Sequence, residues 1–164
     1  MLPSYDEVIA LTAGGSQMVP HEYIDYNGHL NVRHFVGILD DCGTPALLSL
    51  GLTREWLSTH QRGVMDLENH IRFIAEVLEG ETVSVHVRLL ERSEKALHWM
   101  SFLVNDSRRN LAATLELVTI HVDLVARKAI AWPEHVISAL DAEIDRSARL
   151  AWAAPVSGCL QIRR

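Results

Sequence analysis

The longest stretch of regular apolar spacing in the chain lies between Val32 and Leu50. Its apolar residues recur every three or four positions, which predicts one long helix with a wide buried face. Asn31 is a good N-cap directly before this segment, and Gly51 is a good stop directly after it. Pro45 lies inside the segment, so we expect a kink or a break of the helix near that residue.

In the part of the chain that follows the helix, apolar residues recur at every second position instead of every third or fourth. Apolar and polar residues alternate over 83–89, which predicts a strand with one buried face. Residues 97–105 and 111–123 form two more β-rich runs, and residues 106–110 between them have the composition of a hairpin connection. Residues 63–75 are a further strand candidate.

Shorter elements are predicted toward both ends of the chain. They are a short helix over 4–11 that Gly14-Gly15 ends, a first strand over 17–24 with Pro20 at an edge or bulge, and a helix from Pro133 to Arg149 followed by a loose tail after Pro155. The order of these elements predicts an α+β fold in which a curved antiparallel sheet wraps around one long central helix. Such a sheet keeps edges and an outer face, and pairing two copies would cover them, so we expect a homodimer.

Composition and charge narrow the classes of partner. The net charge is -6 and no long basic run is present, which argues against nucleic acid as a partner. Cys42 and Cys159 lie far apart and fit no metal spacing, so both are interpreted as reduced thiols. No apolar run approaches the roughly 20 residues that span a membrane, and the first residues do not resemble a secretion signal. We therefore expect a cytoplasmic protein that does not enter a membrane.

The segment from Asp25 to Asn31 combines a carboxylate with turn-forming residues directly before the long helix. The first turn of a helix has free N–H groups and a partial positive charge, which can stabilise an oxyanion. Gly28 allows backbone to approach a ligand closely, and Asp25 would act as a nucleophile or as the base for a water molecule. The same residues also suit a purely structural turn, with the Asp and Asn side chains bonded to local backbone.

The string Asp25-Tyr26-Asn27-Gly28-His29-Leu30-Asn31 resembles the D-x-x-G-H-x-N signature of the hotdog thioesterases, in the 4-hydroxybenzoyl-CoA thioesterase group. The resemblance covers about residues 17–136, which implies an N-terminal extension over 1–16, a hotdog thioesterase domain over 17–136 and a C-terminal helix and tail over 137–164. It further implies that Asp25 is the catalytic aspartate, that the Val32 N–H polarises the thioester carbonyl, and that His29 and Asn31 are the other polar motif positions. A homodimer or homotetramer with its sites at the subunit interface is also implied, with coenzyme A present only as part of the substrate.

A narrower resemblance is to the thioesterase units found alone or fused to carnitine dehydrogenases, which implies hydrolysis of betainyl-CoA during carnitine breakdown. A quaternary ammonium group suits aromatic rings and carboxylates, and the candidates are Tyr26, Trp56, Trp99 and Glu68. His70 shares a strand face with Glu68. Arg127 and Lys128 follow the last long strand and are candidates for the CoA phosphates.

Three alternatives remain open from the sequence. Asp40 or Asp41 on the long helix could supply the carboxylate instead of Asp25. The nine histidines show no ligand spacing with a third partner, so no metal site is expected. The chain could also be a non-hydrolytic hotdog protein that binds acyl-CoA or acts as a dehydratase.

Overall fold

A six-stranded antiparallel sheet curls around one long helix in the computed structural model, which describes residues 1–162. Its strand order is β1-β3-β4-β5-β2, and β6 pairs with β5. The elements are α1 (Tyr5–Ile9), β1 (Thr12–Met18), α2 (Val32–Leu48), α3 (Arg54–Thr59), β2 (Arg62–Phe73), β3 (Thr82–Arg92), β4 (Ala96–Asn105), β5 (Asn110–Asp123), β6 (Lys128–Ala129) and α4 (Glu134–Ala148). The predicted α+β hotdog architecture is therefore confirmed.

The long central helix α2 follows its predicted bounds closely. Asn31 caps it, because the Asn31 Oδ1 atom accepts the N–H of Arg33 at 3.1 Å. Gly51 follows its end with a positive φ of 111°, as expected of a glycine that terminates a helix. The helix continues through Pro45 as far as Leu48, which excludes a break, and the alternative of a kink stays a prediction. Each end of α2 is therefore fixed by local sequence.

The N-terminal segment differs from its prediction. Gly14 and Gly15 lie inside β1, and β1 ends at Met18, so the strand predicted over 17–24 is wrong. The glycines let β1 pass directly against α2, since a Cβ atom built on Gly14 would lie 2.0 Å from the carbonyl oxygen of Cys42. Residues His21–Tyr23 form one 3-10 turn instead of extended chain.

Strand β3 is buried on both faces, which corrects the expectation of one buried face. His86 and Arg88 are buried together with the alternating valines of the same strand. Arg88 reaches the end of α4, where its Nη2 atom donates to the carbonyl oxygen of Ser147 at 2.9 Å. Polar residues on this strand therefore face other chain segments, whereas β2, at an edge of the sheet, is largely exposed.

The chain forms two compact units, each with its own buried residues. The first comprises Met1–Ala46, Ile71–Val87 and Ser101–Leu115, and the second comprises Leu47–His70, Arg88–Met100 and the chain from Glu116 onward. In the second unit Leu160 packs against Ala96 and Val118, so the tail predicted to be loose is ordered at least to that residue. The division at residues 16 and 136 stays a prediction. Cys42 and Cys159 are both free thiols.

Candidate active site

The loop before α2 is a tight turn built by its own backbone. The N–H of Asp25 donates to the carbonyl oxygen of His29 at 3.0 Å, and the N–H of Gly28 donates to the carbonyl oxygen of Asp25 at 3.0 Å. Gly28 has a φ of +81°, a conformation that glycine adopts without strain. This turn brings Asp25 back beside the residues that start the helix.

The Asp25 carboxylate is held unequally at its two oxygens. Oδ1 accepts the N–H of Asn27 at 2.8 Å, whereas Oδ2 lies 3.5 Å from the Nδ2 atom of Asn31. The Nδ1 atom of His29 lies 3.9 Å from Oδ1, and the Asp25 side chain is 14% exposed. The structural turn that the sequence also allowed is thus present, and it leaves the second oxygen only loosely held.

A cavity of about 350 Å³ in the first unit contains both Asp25 and the start of α2. It is lined by Asp25, His29, Leu30, Val32, Phe35, Phe73, Ile74, Ala75 and Glu76. Val32 is the first residue of the helix, so helix geometry leaves its N–H without an intrahelical acceptor. A base and an electropositive helix terminus therefore lie on one cavity, which is the arrangement needed for attack on a carbonyl carbon.

The wall formed by Phe73 to Glu76 was missed in the sequence. It is joined to the Asp25 loop by a hydrogen bond from the N–H of Leu30 to the carbonyl oxygen of Val77 at 2.8 Å. Phe73 meets Phe35 of the helix edge to face, with ring centroids 5.2 Å apart and an interplanar angle of 76°. The sequence signal was the end of the strand predicted over 63–75, but nothing in one sequence shows which loop that strand end meets.

Glu76 adds a second carboxylate to this cavity. Its Oε1 atom lies 3.5 Å from the Nη1 atom of Arg108, and Arg108 is also bonded to Glu81. Burial acts to raise the pKa of Glu81, but hydrogen bonds from the Leu78 N–H, Arg108 and Asn105 outweigh it and hold that pKa below its usual value. Among the described residues that line the cavity there are two carboxylates and neither lysine nor arginine.

Two of the predicted aromatic candidates do not line this cavity. Tyr26 is 97% exposed in the isolated chain. Trp99 is buried, and its Nε1–H donates to the Thr119 hydroxyl oxygen at 2.8 Å. Their roles in binding a cationic group therefore find no support in the geometry of one chain.

The other predicted binding residues belong to the second unit. Trp56 lies on α3 and stacks on His60 with ring centroids 4.5 Å apart. Glu68 lines a groove of about 600 Å³, and His70 is half-buried on the same strand. Arg127 and Lys128 line another groove, of about 420 Å³, at the β5–β6 hairpin. The structure therefore does not bring these five residues onto the Asp25 cavity of the first unit.

The rival carboxylates on α2 lie on its exposed side. Asp40 accepts a hydrogen bond from the Thr44 hydroxyl at 3.1 Å, and neither Asp40 nor Asp41 lines the cavity. Within residues 1–162, His, Cys, Asp and Glu form no group of three that could hold a metal ion. Over the same residues, no helix is both long enough and apolar enough to cross a membrane.

Comparison with known proteins gives the family. The model of the thioesterase-like superfamily matches residues 19–140. An L-carnitine dehydrogenase/betainyl-CoA thioesterase from a Rhizobium species is 30% identical over 128 residues, which are 78% of this chain and 26% of that protein, so the chain spans about a quarter of this relative. A betainyl-CoA thioesterase from Pseudomonas aeruginosa is 26% identical over 132 residues, covering 80% of this chain and 82% of that protein.

The fold is also found among solved structures. A protein from Staphylococcus aureus, determined in complex with CoA, superposes with a TM-score of 0.81 at 22% identity and covers 93% of this chain and 96% of its own. This similarity supports the same fold, and the match to the family model extends across most of the chain. The chain therefore belongs to the thioesterase-like superfamily.

Proposed function

We propose that this chain hydrolyses acyl-CoA thioesters at the cavity that Asp25 shares with the start of α2. One observation carries the proposal: the Asp25 carboxylate and the first residue of the central helix line the same cavity of about 350 Å³. The attacking group and the groups that stabilise negative charge must lie on one site for acyl transfer. The two features meet here through a turn of only seven residues, Asp25 to Asn31.

The reaction follows from the positions of the two groups. The thioester carbonyl oxygen accepts the Val32 N–H, and the partial positive charge of the helix terminus stabilises the oxyanion as it forms. Asp25 takes a proton from a water molecule, whose oxygen attacks the carbonyl carbon. The C–S bond then breaks, releasing the carboxylic acid and the thiolate of CoA, which takes up the proton held by Asp25 and so restores the carboxylate. Direct attack by Asp25 would instead form an acyl-aspartyl anhydride that water hydrolyses.

We further propose betainyl-CoA as the acyl-CoA that this cavity accepts. The Rhizobium and Pseudomonas relatives carry that activity in their names. The cavity chemistry agrees, since its wall presents two carboxylates and two phenylalanine rings to the acyl group. Aromatic rings and carboxylates both attract a quaternary ammonium group. An aliphatic acyl chain has no charge, so it gains no such attraction from these groups.

A homodimer is proposed as the working assembly. Strand β2 lies at the edge of the sheet and exposes Met65, Leu67 and Phe73, and an exposed apolar edge strand pairs readily with another copy. Phe73 also lines the Asp25 cavity, so pairing along β2 would cover part of the site. Light scattering after size-exclusion chromatography should give twice or four times the chain mass, and Leu67→Lys should shift it toward the monomer. A wild-type mass equal to one chain would contradict the proposal.

The test of the function is release of free thiol from a panel of acyl-CoA esters that includes betainyl, aromatic and fatty acyl groups. Asp25→Asn should lower kcat by about 1000-fold, because the neutral amide cannot take a proton from water. Asp40→Asn is the matched control, since it changes an exposed carboxylate that does not line the cavity and should retain full activity. Thermal unfolding of both variants should stay close to that of the wild type.

Three outcomes would contradict parts of this proposal. Full activity in Asp25→Asn would remove Asp25 from the mechanism, and loss of activity in Asp40→Asn would favour the rival carboxylates on α2. Binding of acyl-CoA without release of thiol from any ester would favour the non-hydrolytic alternative. A single turnover in water enriched in oxygen-18 separates the two chemical routes, because label enters Asp25 only when an anhydride is formed.

A further inference from the structure

We propose that Glu76 makes the Asp25 cavity selective for acyl groups that carry a permanent positive charge, an inference that rests on the proposed thioesterase function. Glu76 is the second carboxylate on the cavity wall. The hydrolysis described above uses Asp25 and the Val32 N–H and gives Glu76 no chemical task. Its charge is therefore available to act on the substrate.

The backbone fixes Glu76 tightly for a residue outside a strand. On one side the N–H groups of Ile74 and Ala75 both donate to the carbonyl oxygen of Ala112, at 2.9 and 3.1 Å. On the other side the carbonyl oxygen of Val77 accepts the N–H of Leu30 at 2.8 Å, and Val77 is fully buried. These bonds tie the segment that carries Glu76 to the strand β5 and to the loop that carries Asp25.

The charge of Glu76 is only partly neutralised by its neighbour. The Oε1 atom lies 3.5 Å from the Arg108 Nη1 atom, a looser contact than the ion pair that Arg108 makes with Glu81. Asn105 also donates a hydrogen bond to Glu81, at 2.7 Å, so Glu81 is held in place beside Arg108. Arg108 is therefore engaged mainly by Glu81, and the Glu76 side chain is 56% exposed where it lines the cavity.

The rings of the same cavity complete a cation site. Phe35 and Phe73 meet edge to face, and both line the cavity that also contains Glu76. A quaternary ammonium group has no N–H to donate, so it is held by charge and by contact with ring faces. A neutral tert-butyl group has the same shape but is held by the rings alone. The difference between these two acyl groups isolates the contribution of the carboxylate.

The test compares betainyl-CoA with 3,3-dimethylbutanoyl-CoA, its neutral isostere. Wild-type enzyme should show the higher kcat/KM for betainyl-CoA, and Glu76→Gln should lower the ratio of the two kcat/KM values by about tenfold. Glu79→Gln is the matched control, because Glu79 pairs with the exposed His21 at 2.9 Å and does not line the cavity. It should leave the ratio within about twofold of the wild type, since its charge lies outside the site.

The outcomes separate this inference from the function on which it rests. Hydrolysis of both esters by Glu76→Gln with an unchanged ratio would overturn the role of Glu76 and leave the thioesterase function standing. If the wild type released thiol from none of the panel esters, these two included, the proposed function would fail. Calorimetric affinities of the two esters for wild type and Glu76→Gln would then decide the inference: a preference for betainyl-CoA that the variant loses supports it, and equal affinities overturn it.

Discussion

Asp25 and Glu116 are two carboxylates that share one kind of hydrogen bond and differ in how firmly the second oxygen is held. Each accepts one backbone N–H, from Asn27 at 2.8 Å for Asp25 and from Ser157 at 2.6 Å for Glu116. The second oxygen of Glu116 lies 2.9 Å from the His98 Nε2 atom, whereas the second oxygen of Asp25 has only the 3.5 Å contact with Asn31.

The difference between them is the availability of a lone pair. The Glu116 side chain is 1% exposed and both its oxygens are engaged, so it can only hold the second unit together. The Asp25 side chain opens onto a cavity and keeps one oxygen loosely held. A carboxylate with one loosely held oxygen is free to take a proton from water, whereas a carboxylate with two close partners is not.

The largest effect on stability is expected from Glu116→Ala. Removing this carboxylate leaves the ring of His98 and the N–H of Ser157 without their acceptors, and it should lower the free energy of unfolding by about 3 kcal/mol. The matched control is Glu91→Ala, since Glu91 contacts the same histidine at 3.5 Å from an exposed position and should cost less than about 1 kcal/mol. Urea unfolding measures both, and equal losses would break the distinction between buried and exposed partners.

A somewhat smaller effect, on catalysis alone, is expected from Val32→Pro. Proline suits the first position of a helix, but it has no N–H, so the proposed oxyanion donor disappears while α2 can still form. We expect kcat for acyl-CoA hydrolysis to fall by about 100-fold. Val32→Ala keeps the N–H and should keep most of the activity. An active Val32→Pro enzyme would show that another group stabilises the oxyanion.

The smallest expected effect is the pH dependence of stability that Glu116 contributes. Burial acts to raise the pKa of Glu116, but hydrogen bonds from Ser157 and His98 outweigh it and hold that pKa below its ordinary value of 4.5. The unfolded chain therefore takes up the proton first, and the stability that Glu116 contributes above pH 4.5 is lost as the pH falls below that value.

Unfolding titrations between neutral and acidic pH measure this contribution. The wild type should lose stability as the pH falls below 4.5. Glu116→Gln should lose less, because the variant lacks one carboxyl group whose pKa is lowered by folding. Glu81, Asp123 and Asp141 also have lowered pKa values and should maintain the remaining slope in the variant. Identical slopes for wild type and variant would exclude Glu116 as a source of acid sensitivity.

Local sequence was sufficient to predict one half of the site. Asp25 and Val32 are separated by a short turn, and the residues that shape it, Gly28 and the Asn31 cap, lie within the same segment. The bounds of α2 followed from spacing and capping for the same reason. A carboxylate beside a helix start was therefore visible in the sequence before any tertiary contact was known.

The other half of the site depends on contacts between distant segments. Glu76 reaches the cavity because Leu30 bonds to Val77, a pairing of residues far apart in the chain that no periodicity shows. Tyr26 does not line the cavity of the single chain, and its role in binding stays a prediction, because residue type does not give side-chain direction within a turn. The buried polar face of β3 was missed similarly, since His86 and Arg88 have the pattern of exposed residues until their partners are known.

The two glycines of β1 limit how this protein can change over time. Only hydrogen atoms separate Gly14 from the carbonyl of Cys42 on the central helix, so a methyl group there would push the strand and the helix apart. Single substitutions at Gly14 therefore cannot shift the helix slightly without breaking this contact, and the N–H of Val32, the proposed oxyanion donor, keeps its place at the start of the helix. Descendants of this sequence would acquire new acyl preferences by exchanging residues such as Phe73 and Glu76, which leave that contact untouched.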